Sequence, residues 1–339
     1  MNLSDCTTLH LGGPARSVVE VTSEAEFVEA VRSADAAGEP VLIVSGGSNL
    51  VVSDEGFAGT VILNRYRGGS YEFDACSGAM VTVHAGDDWD AFVRMTLERG
   101  WTGVEALSGI PGLVGSTPIQ NVGAYGQEVS QTIASVKTYD RYERAIRTFA
   151  AIDCDFSYRS SKFKAEADRY VVMSVAFQLK QGTLGAPVRY AELAKALDVA
   201  LGERAPATAV RDAVLALRRS KGMVLDLEDH DTWSAGSFFT NPILSAEQAA
   251  HLPPDAPSYP QPDGSVKTSA AWLIDHAGFA KGYARGAASL STKHTLALTN
   301  RGGATTADLL DLAREVRDGV RDRFGVTLVN EPVLVGVSL

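Results

Sequence analysis

The sequence predicts an α+β protein in two parts, a glycine-rich first part followed by a separate C-terminal domain. Three observations carry this reading. The first half alternates short apolar runs with amphipathic segments. The stretch from Gly109 to Gly126 is dense in glycine and has no period. The second half opens with helical patterns and closes on one long amphipathic helix. At 339 residues the chain is long for one domain and comfortable for two or three.

In chain order, Arg16 to Thr22 reads as a strand. Ser23 with Glu26 three residues on forms a capping box that opens a helix through about Ala36. Pro40 to Ser45 is a continuous apolar run of buried-strand length and ends in Gly46-Gly47-Ser48-Asn49. Thr60 to Leu63, Met80 to Ala85, Ile133 to Tyr139, Ile146 to Ala150 and Tyr170 to Leu179 are further strands. Asp88 caps a helix that stops at Gly100. Helices are expected over Tyr190 to Leu201 and Thr208 to Arg219. The polar stretch Lys221 to Trp233 reads as a loop between domains. Ser245 with Gln248 caps a short helix. From Thr306 to Phe324, residues Leu309, Leu312, Ala313, Val316, Val320 and Phe324 fall on one helix face, which assigns them to core packing.

Composition narrows the function classes. Hydrophobic residues at 45% and charged residues at 21% are ordinary for a globular chain and give no case for disorder. A net charge of −10 argues against a phosphate-backbone binder, so no nucleic-acid partner is expected. A few cations in one pocket still suffice for an anionic substrate. Cys6, Cys76 and Cys154 are odd in number and form no CxxC pair, which fits a reducing cytoplasm. The histidines make no metal-binding spacing, so no metal is expected. No apolar run reaches the roughly 18 residues of a membrane span, and the N-terminus lacks signal-peptide blocks.

Five motifs can carry chemistry. Val44 to Leu50 follows a buried strand, where successive N–H groups can wrap a pyrophosphate; a plain tight turn is the alternative. Gly109 to Gly126 allows close backbone approach to a large flat group, with Gln120, Asn121 and Tyr125 as polar contacts, or is a long structural loop. Ser157 to Lys164 offers Arg159, a fork-shaped cation suited to a carboxylate or enolate oxygen, or is a solvated basic patch. Ser234 to Pro242 offers the Ser237 hydroxyl outside any nucleophile elbow, or is a turn before a strand. In Asn330-Glu331-Pro332 the proline holds Glu331 extended, and its carboxylate can orient or protonate a partner, or is an exposed loop acid.

Together with Thr8-Leu9-His10-Leu11-Gly12-Gly13-Pro14-Ala15, these five motifs resemble, in order and over nearly the whole length, the UDP-N-acetylenolpyruvoylglucosamine reductase family. The resemblance implies an FAD-binding domain of the vanillyl-alcohol-oxidase (PCMH) type, made of two α/β subdomains over residues 1–185. It also implies a C-terminal α+β substrate-binding domain over 222–328, with the 329–339 tail returning to the active site. FAD contacts are implied for Ser45, Gly46, Gly47, Ser48, Asn49, Gly109, Ile110, Pro111, Gly112, Gly115 and Ser116. Further along the same loop they are implied for Ile119, Gln120, Asn121, Gly123, Ala124, Tyr125 and Gly126. Many members have glycine where Ser116 stands.

The implied catalytic residues are Arg159 and Glu331, which steady an enolic intermediate, and Ser237, which delivers a proton to carbon. Substrate contacts are implied for Tyr158, Tyr190, Lys221 and Asn241, Tyr190 being the loop tyrosine of the longer subtype. A family glutamine that touches substrate falls near Lys293-His294, where this chain has none. The acidic segment with Asp226, Glu228, Asp229 and Asp231 is longer than the family's link. The implied activity is NADPH-dependent reduction of UDP-N-acetylglucosamine enolpyruvate to UDP-N-acetylmuramate through FAD, by a cytoplasmic monomer of peptidoglycan precursor synthesis. An FAD oxidase on the same fold is the rival. Members that attach flavin through a histidine in the glycine loop are its usual form, and no histidine lies between Asp87 and Asp229.

Overall fold

A computed structural model describes residues 1–339. The chain divides into two compact units. One is built from Met1–Ala15, Gly47–Phe57 and Lys221–Leu339, the other from Arg16–Gly46 and Ala58–Ser220. This cuts the chain differently from the expected 1–185 and 222–328 partition. Two early segments belong with the C-terminal third, because contacts rather than sequence order define a packed body. The 329–339 tail packs in that unit too, where Val333–Val335 pairs in parallel with Leu50–Val52.

The unit of 16–46 and 58–220 holds two sheets. In the smaller, Phe57–Asn64 lies between Ala15–Val21 and Val41–Val44 and runs parallel to the latter. The larger is antiparallel. Its order is Ala145–Ala150, Ile133–Asp140, Tyr170–Gln181, Gly78–His84 and Gly69–Asp74, with Trp101–Thr102 on the end of Tyr170–Gln181. The helix Glu24–Ala36 buries Phe27 and Val31 with Ile62, Tyr139, Val171 and Met173. The helix Trp89–Glu98 buries Trp89 and Phe92 against Phe177 on the other side. Every expected strand of this half is present within a few residues. Gly69–Asp74 was not anticipated, since all six of its residues are exposed and no buried alternation marks it.

Two local expectations need correction. Ser23 does cap the helix through the Glu26 amide, at 3.2 Å, but Glu26 turns back to the Thr22 amide and hydroxyl, at 2.7 and 2.8 Å, so no capping box closes. The helix expected over Tyr190 to Leu201 is only Ala191–Leu197. It ends where Asp198 takes a left-handed conformation at φ 53°.

In the other unit the helix Thr306–Phe324 presents Leu309, Leu312, Ala313, Val316 and Val320 to the core, as its spacing requires. A short meander of Ala284–Arg285, Ala288–Leu290 and Leu298–Asn300 packs on it. Ser245 and Gln248 close a full capping box on Ala246–Ala250. The segment 221–233, expected as an interdomain loop, is instead part of this unit, and it buries Asp231 and Thr232. No helix is long and apolar enough to cross a membrane.

Candidate active site

In the unit of 16–46 and 58–220, Gly46 faces the glycine-rich loop. A Cβ on Gly46 would lie 3.0 Å from Gly112 Cα, and both residues have left-handed φ, +82° and +121°. Only glycine combines that approach with that backbone. The loop itself is held from outside. The Gly109 amide donates to Asp90 at 2.6 Å, and Asp90 is gripped by the Arg211 fork at 2.7 Å on both oxygens. Burial pulls the Asp90 carboxyl up, but Arg211 and the Gly109 amide outweigh it and hold it below its ordinary value. Val114 and Gly115 amides donate to the Asp87 and Ala85 carbonyls. Ser116, the departure from the family glycine, turns its hydroxyl back to the Leu113 carbonyl at 2.7 Å, within the loop.

Tyr158 and Arg159 form the tip of a tight turn closed by reciprocal hydrogen bonds between Ser157 and Ser160. Arg159 sits there at φ 54°, a left-handed position that costs on the order of 1–3 kcal/mol for a non-glycine residue. The turn is anchored to the glycine loop. Arg159 donates to the Gly123 carbonyl at 2.7 Å, Asn121 donates to the Ser157 carbonyl at 3.0 Å, and Ser161 donates to the Ile119 carbonyl at 2.6 Å. Asn121 and Tyr125 also adopt left-handed φ. Tyr125 meets Tyr190 edge to face, with ring centroids 5.5 Å apart, and burial pushes its hydroxyl up to about 12. A cavity of about 250 Å³ opens here, lined by Tyr125, Gly126, Gln127, Arg189 and Glu105 among others.

Glu105 was missed by sequence reasoning. It is 1% exposed and accepts from the Gly103 and Ala186 amides, both at 2.6 Å, and from Gln127 at 3.1 Å. It thereby ties the loop before Tyr190 to the glycine loop. A lone acid in an apolar neighbourhood has no pattern that could have flagged it.

In the other unit Gly47 sits against the opening segment, where an added Cβ would fall 1.8 Å from the Cys6 carbonyl oxygen. The strand-like run after Ser237 is zipped to the C-terminal tail. Glu331 N donates to the Phe238 carbonyl at 2.8 Å, and Thr240 N donates to the Val329 carbonyl at 3.0 Å. Asn49 donates to the Glu331 carbonyl at 3.4 Å and accepts from the Val333 amide at 2.9 Å. Ser237, Asn49 and Glu331 are thus gathered from three distant parts of the chain. Phe238 and Phe239, each 1% exposed, anchor the backbone directly after Ser237. Asn241 accepts the Ala270 amide at 3.0 Å with its oxygen, which leaves its Nδ2 group to donate. Lys221 begins the 221–339 segment after the helix Ala207–Ser220. Near the expected glutamine position, the Lys293 ammonium is paired with Asp229 of the acidic segment.

The comparisons with known proteins agree with one another. Residues 15–148 match an FAD binding domain, and residues 228–335 match the C-terminal domain of UDP-N-acetylenolpyruvoylglucosamine reductase. A UDP-N-acetylenolpyruvoylglucosamine reductase of Cutibacterium acnes is 58% identical over 99% of this chain and 90% of its own length. The chain belongs to the UDP-N-acetylenolpyruvoylglucosamine reductase family. A relative of that name in Thermobifida fusca is also 58% identical, over 99% of this chain and 97% of its own. The crystal structure of the reductase from Thermus caldophilus shares the fold, with a TM-score of 0.68 at 24% identity, and covers 99% of this chain and 97% of that one. This reductase is therefore an FAD-dependent oxidoreductase of peptidoglycan precursor synthesis, with an FAD-binding domain followed by the reductase C-terminal domain. The crowded Gly46–Gly112 approach and the left-handed run through Gly109, Gly112, Asn121, Tyr125 and Gly126 suit FAD, whose pyrophosphate and flat ring need bare backbone beside them.

Proposed function

We propose that this chain reduces UDP-N-acetylglucosamine enolpyruvate to UDP-N-acetylmuramate in the cytoplasm, as a monomer, with NADPH as the electron donor. The observation that carries the reading is the pairing of the Ser237 segment with Glu331 by the Phe238–Glu331 hydrogen bond, together with Arg159 fixed on the glycine loop. FAD, when bound, supplies the hydride relay between the nicotinamide and the vinyl carbon of the substrate. Its holders are Ser45 to Asn49 and the Gly109–Gly126 positions named above.

The chain's own residues supply the rest. Hydride addition leaves negative charge on the carboxylate side of the enolpyruvyl group. Arg159 is a permanent cation whose fork suits that oxygen, and its rigid turn spares reorganisation when the charge appears. Glu331, with its carboxyl protonated, donates a hydrogen bond to the enolic oxygen. Ser237 gives its proton to the neighbouring carbon. A serine hydroxyl is a weak acid, and only a strongly basic carbon such as this one can take its proton. Tyr158, Tyr190, Lys221 and Asn241 bind the sugar nucleotide, Lys221 at a phosphate. NADPH and the sugar nucleotide bind in turn, which predicts ping-pong kinetics.

Anaerobic stopped flow tests this. Flavin absorbance bleaches on addition of NADPH and recovers only when the enolpyruvyl sugar nucleotide is added. Recovery with oxygen alone would make the chain an oxidase. Ser237→Ala slows the recovery phase by on the order of 10²–10⁴ and retains flavin; a normal recovery rate removes Ser237 from the mechanism.

A further inference from the structure

The acidic segment before Ser237 contains a carboxylate that the reaction itself does not use. Asp231 is 4% exposed, yet its oxygens are fully engaged. It accepts the Thr292 amide at 2.8 Å, the Thr292 hydroxyl at 2.5 Å and the Arg301 guanidinium at 2.9 Å. Asp229, two residues earlier, pairs with Lys293. Both acids therefore grip one turn, Ser291 to Ala297, which joins the strands Ala288–Leu290 and Leu298–Asn300.

That turn in turn holds the proton donor. Its Leu296 carbonyl accepts the amide of Phe238, the residue after Ser237, at 2.7 Å. The turn is closed internally by the Ser291 amide on the Ala297 carbonyl and by the Ser291 hydroxyl, which accepts the Lys293 and His294 amides. On the near side of Ser237, the Asn300 amide donates to the Trp233 carbonyl at 3.1 Å and Ser234 bridges to Thr299. Gly236, immediately before Ser237, has φ 73° and open space around its Cβ position. The Gly236 amide donates to the Ser234 hydroxyl at 3.2 Å, so Ser237 is held on that side by hydrogen bonds and on the other by the Leu296 and Glu331 bonds to Phe238, together with the burial of Phe238 and Phe239.

We infer that Asp231 is a positioning residue: by fixing the Ser291–Ala297 turn it sets where Ser237 presents its hydroxyl to the substrate carbon. A displacement of about 1 Å at a reacting group is enough to lower a rate about a hundredfold. The inference rests on the proposed role of Ser237, and the test separates the two.

The experiment is a double-mutant cycle on the FAD-loaded protein, with both half-reactions followed by anaerobic stopped flow. Asp231→Asn keeps the side-chain shape but removes the negative charge that faces Arg301, and the Thr292 hydroxyl must turn to accept from the new amide instead of donating to a carboxylate. It is expected to slow flavin recovery with the enolpyruvyl sugar nucleotide about tenfold or more, while flavin bleaching by NADPH stays within about twofold. In the Ser237→Ala background the same substitution is expected to change recovery by less than about twofold, because the group it positions is gone. Thr292→Val, which removes one hydroxyl and spares the Asp231 charge, gives a smaller loss of the same pattern and serves if Asp231→Asn does not fold. Configuration at the newly protonated carbon is a further readout, since a misplaced Ser237 lets solvent protonate from either face. Equal losses in both half-reactions, or the same loss with and without Ser237, overturn the inference. If Ser237→Ala itself leaves recovery unchanged, the role of Ser237 fails instead.

Discussion

The glycine loop at 109–126 and the acidic segment at 226–234 are built on opposite principles. In the glycine loop, close backbone approach comes from missing side chains. Backbone amides are turned by left-handed residues, and Asp90, Arg159 and Ser161 hold it from outside through its Gly109 amide and its Gly123 and Ile119 carbonyls. In the acidic segment the side chains do the holding, and the backbone follows them. Asp229 and Asp231 reach outward to Lys293, Thr292 and Arg301. The lesson is that two irregular stretches of one chain can owe their order to steric permission in one case and to charge in the other. They should therefore fail in different ways.

The largest expected effect is on the charged side. Asp231→Ala leaves the Arg301 guanidinium and the Thr292 amide and hydroxyl without their acceptor, and costs about 3 kcal/mol of stability, at the low end for a broken buried pair because Arg301 is partly exposed. Urea unfolding at neutral pH measures it, and a loss under about 1 kcal/mol would mean the segment is held by its backbone after all. Acid should reach part of the same loss without any substitution. Burial raises the Asp231 carboxyl, but Thr292, Ser291 and Arg301 together hold it below its ordinary value. A depressed folded pKa means that the contribution is present above the unfolded carboxylate value near about 4 and is lost as pH falls through the folded value. Between pH 6 and pH 3 the wild type should therefore lose more stability than Asp231→Ala does, and parallel curves would break the assignment.

The glycine loop is probed by adding atoms. In Gly115→Ala the new methyl falls 2.4 Å from Ala85 Cβ and 3.0 Å from Ala85 Cα. Such overpacking costs about 2 kcal/mol and displaces the loop, so flavin retention on gel filtration should fall. No pH dependence beyond that of the wild type is expected, in contrast to Asp231. The smallest effect concerns the helix beside the loop. Asp88 caps Trp89–Glu98 by accepting the Ala91 amide at 2.7 Å, and Asp88→Ala should lower stability by about 1 kcal/mol while flavin stays bound. Loss of flavin in that variant would show that the cap supports the loop directly.

Much of this molecule could be read without coordinates. The run Val41–Val44, the caps at Ser23, Asp88 and Ser245, and the apolar face of Thr306–Phe324 follow from local spacing and short-range hydrogen bonding, and each is present. The ordered motifs around Gly46, Gly109, Arg159, Ser237 and Glu331 were enough to identify the family, because five short motifs in one order along the chain are far more specific than any one of them alone. Tertiary structure alone decided the rest. It placed Met1–Ala15 and Gly47–Phe57 in the same unit as Lys221–Leu339, and it paired Ser237's neighbour with Glu331 across more than 90 residues of sequence. It also buried Glu105 as a tie between two loops and turned an apparent interdomain linker into a charged clamp. Periodicity reports which face of an element is apolar, but a buried acid is settled only by the donors that folding brings to it, and those come from distant sequence.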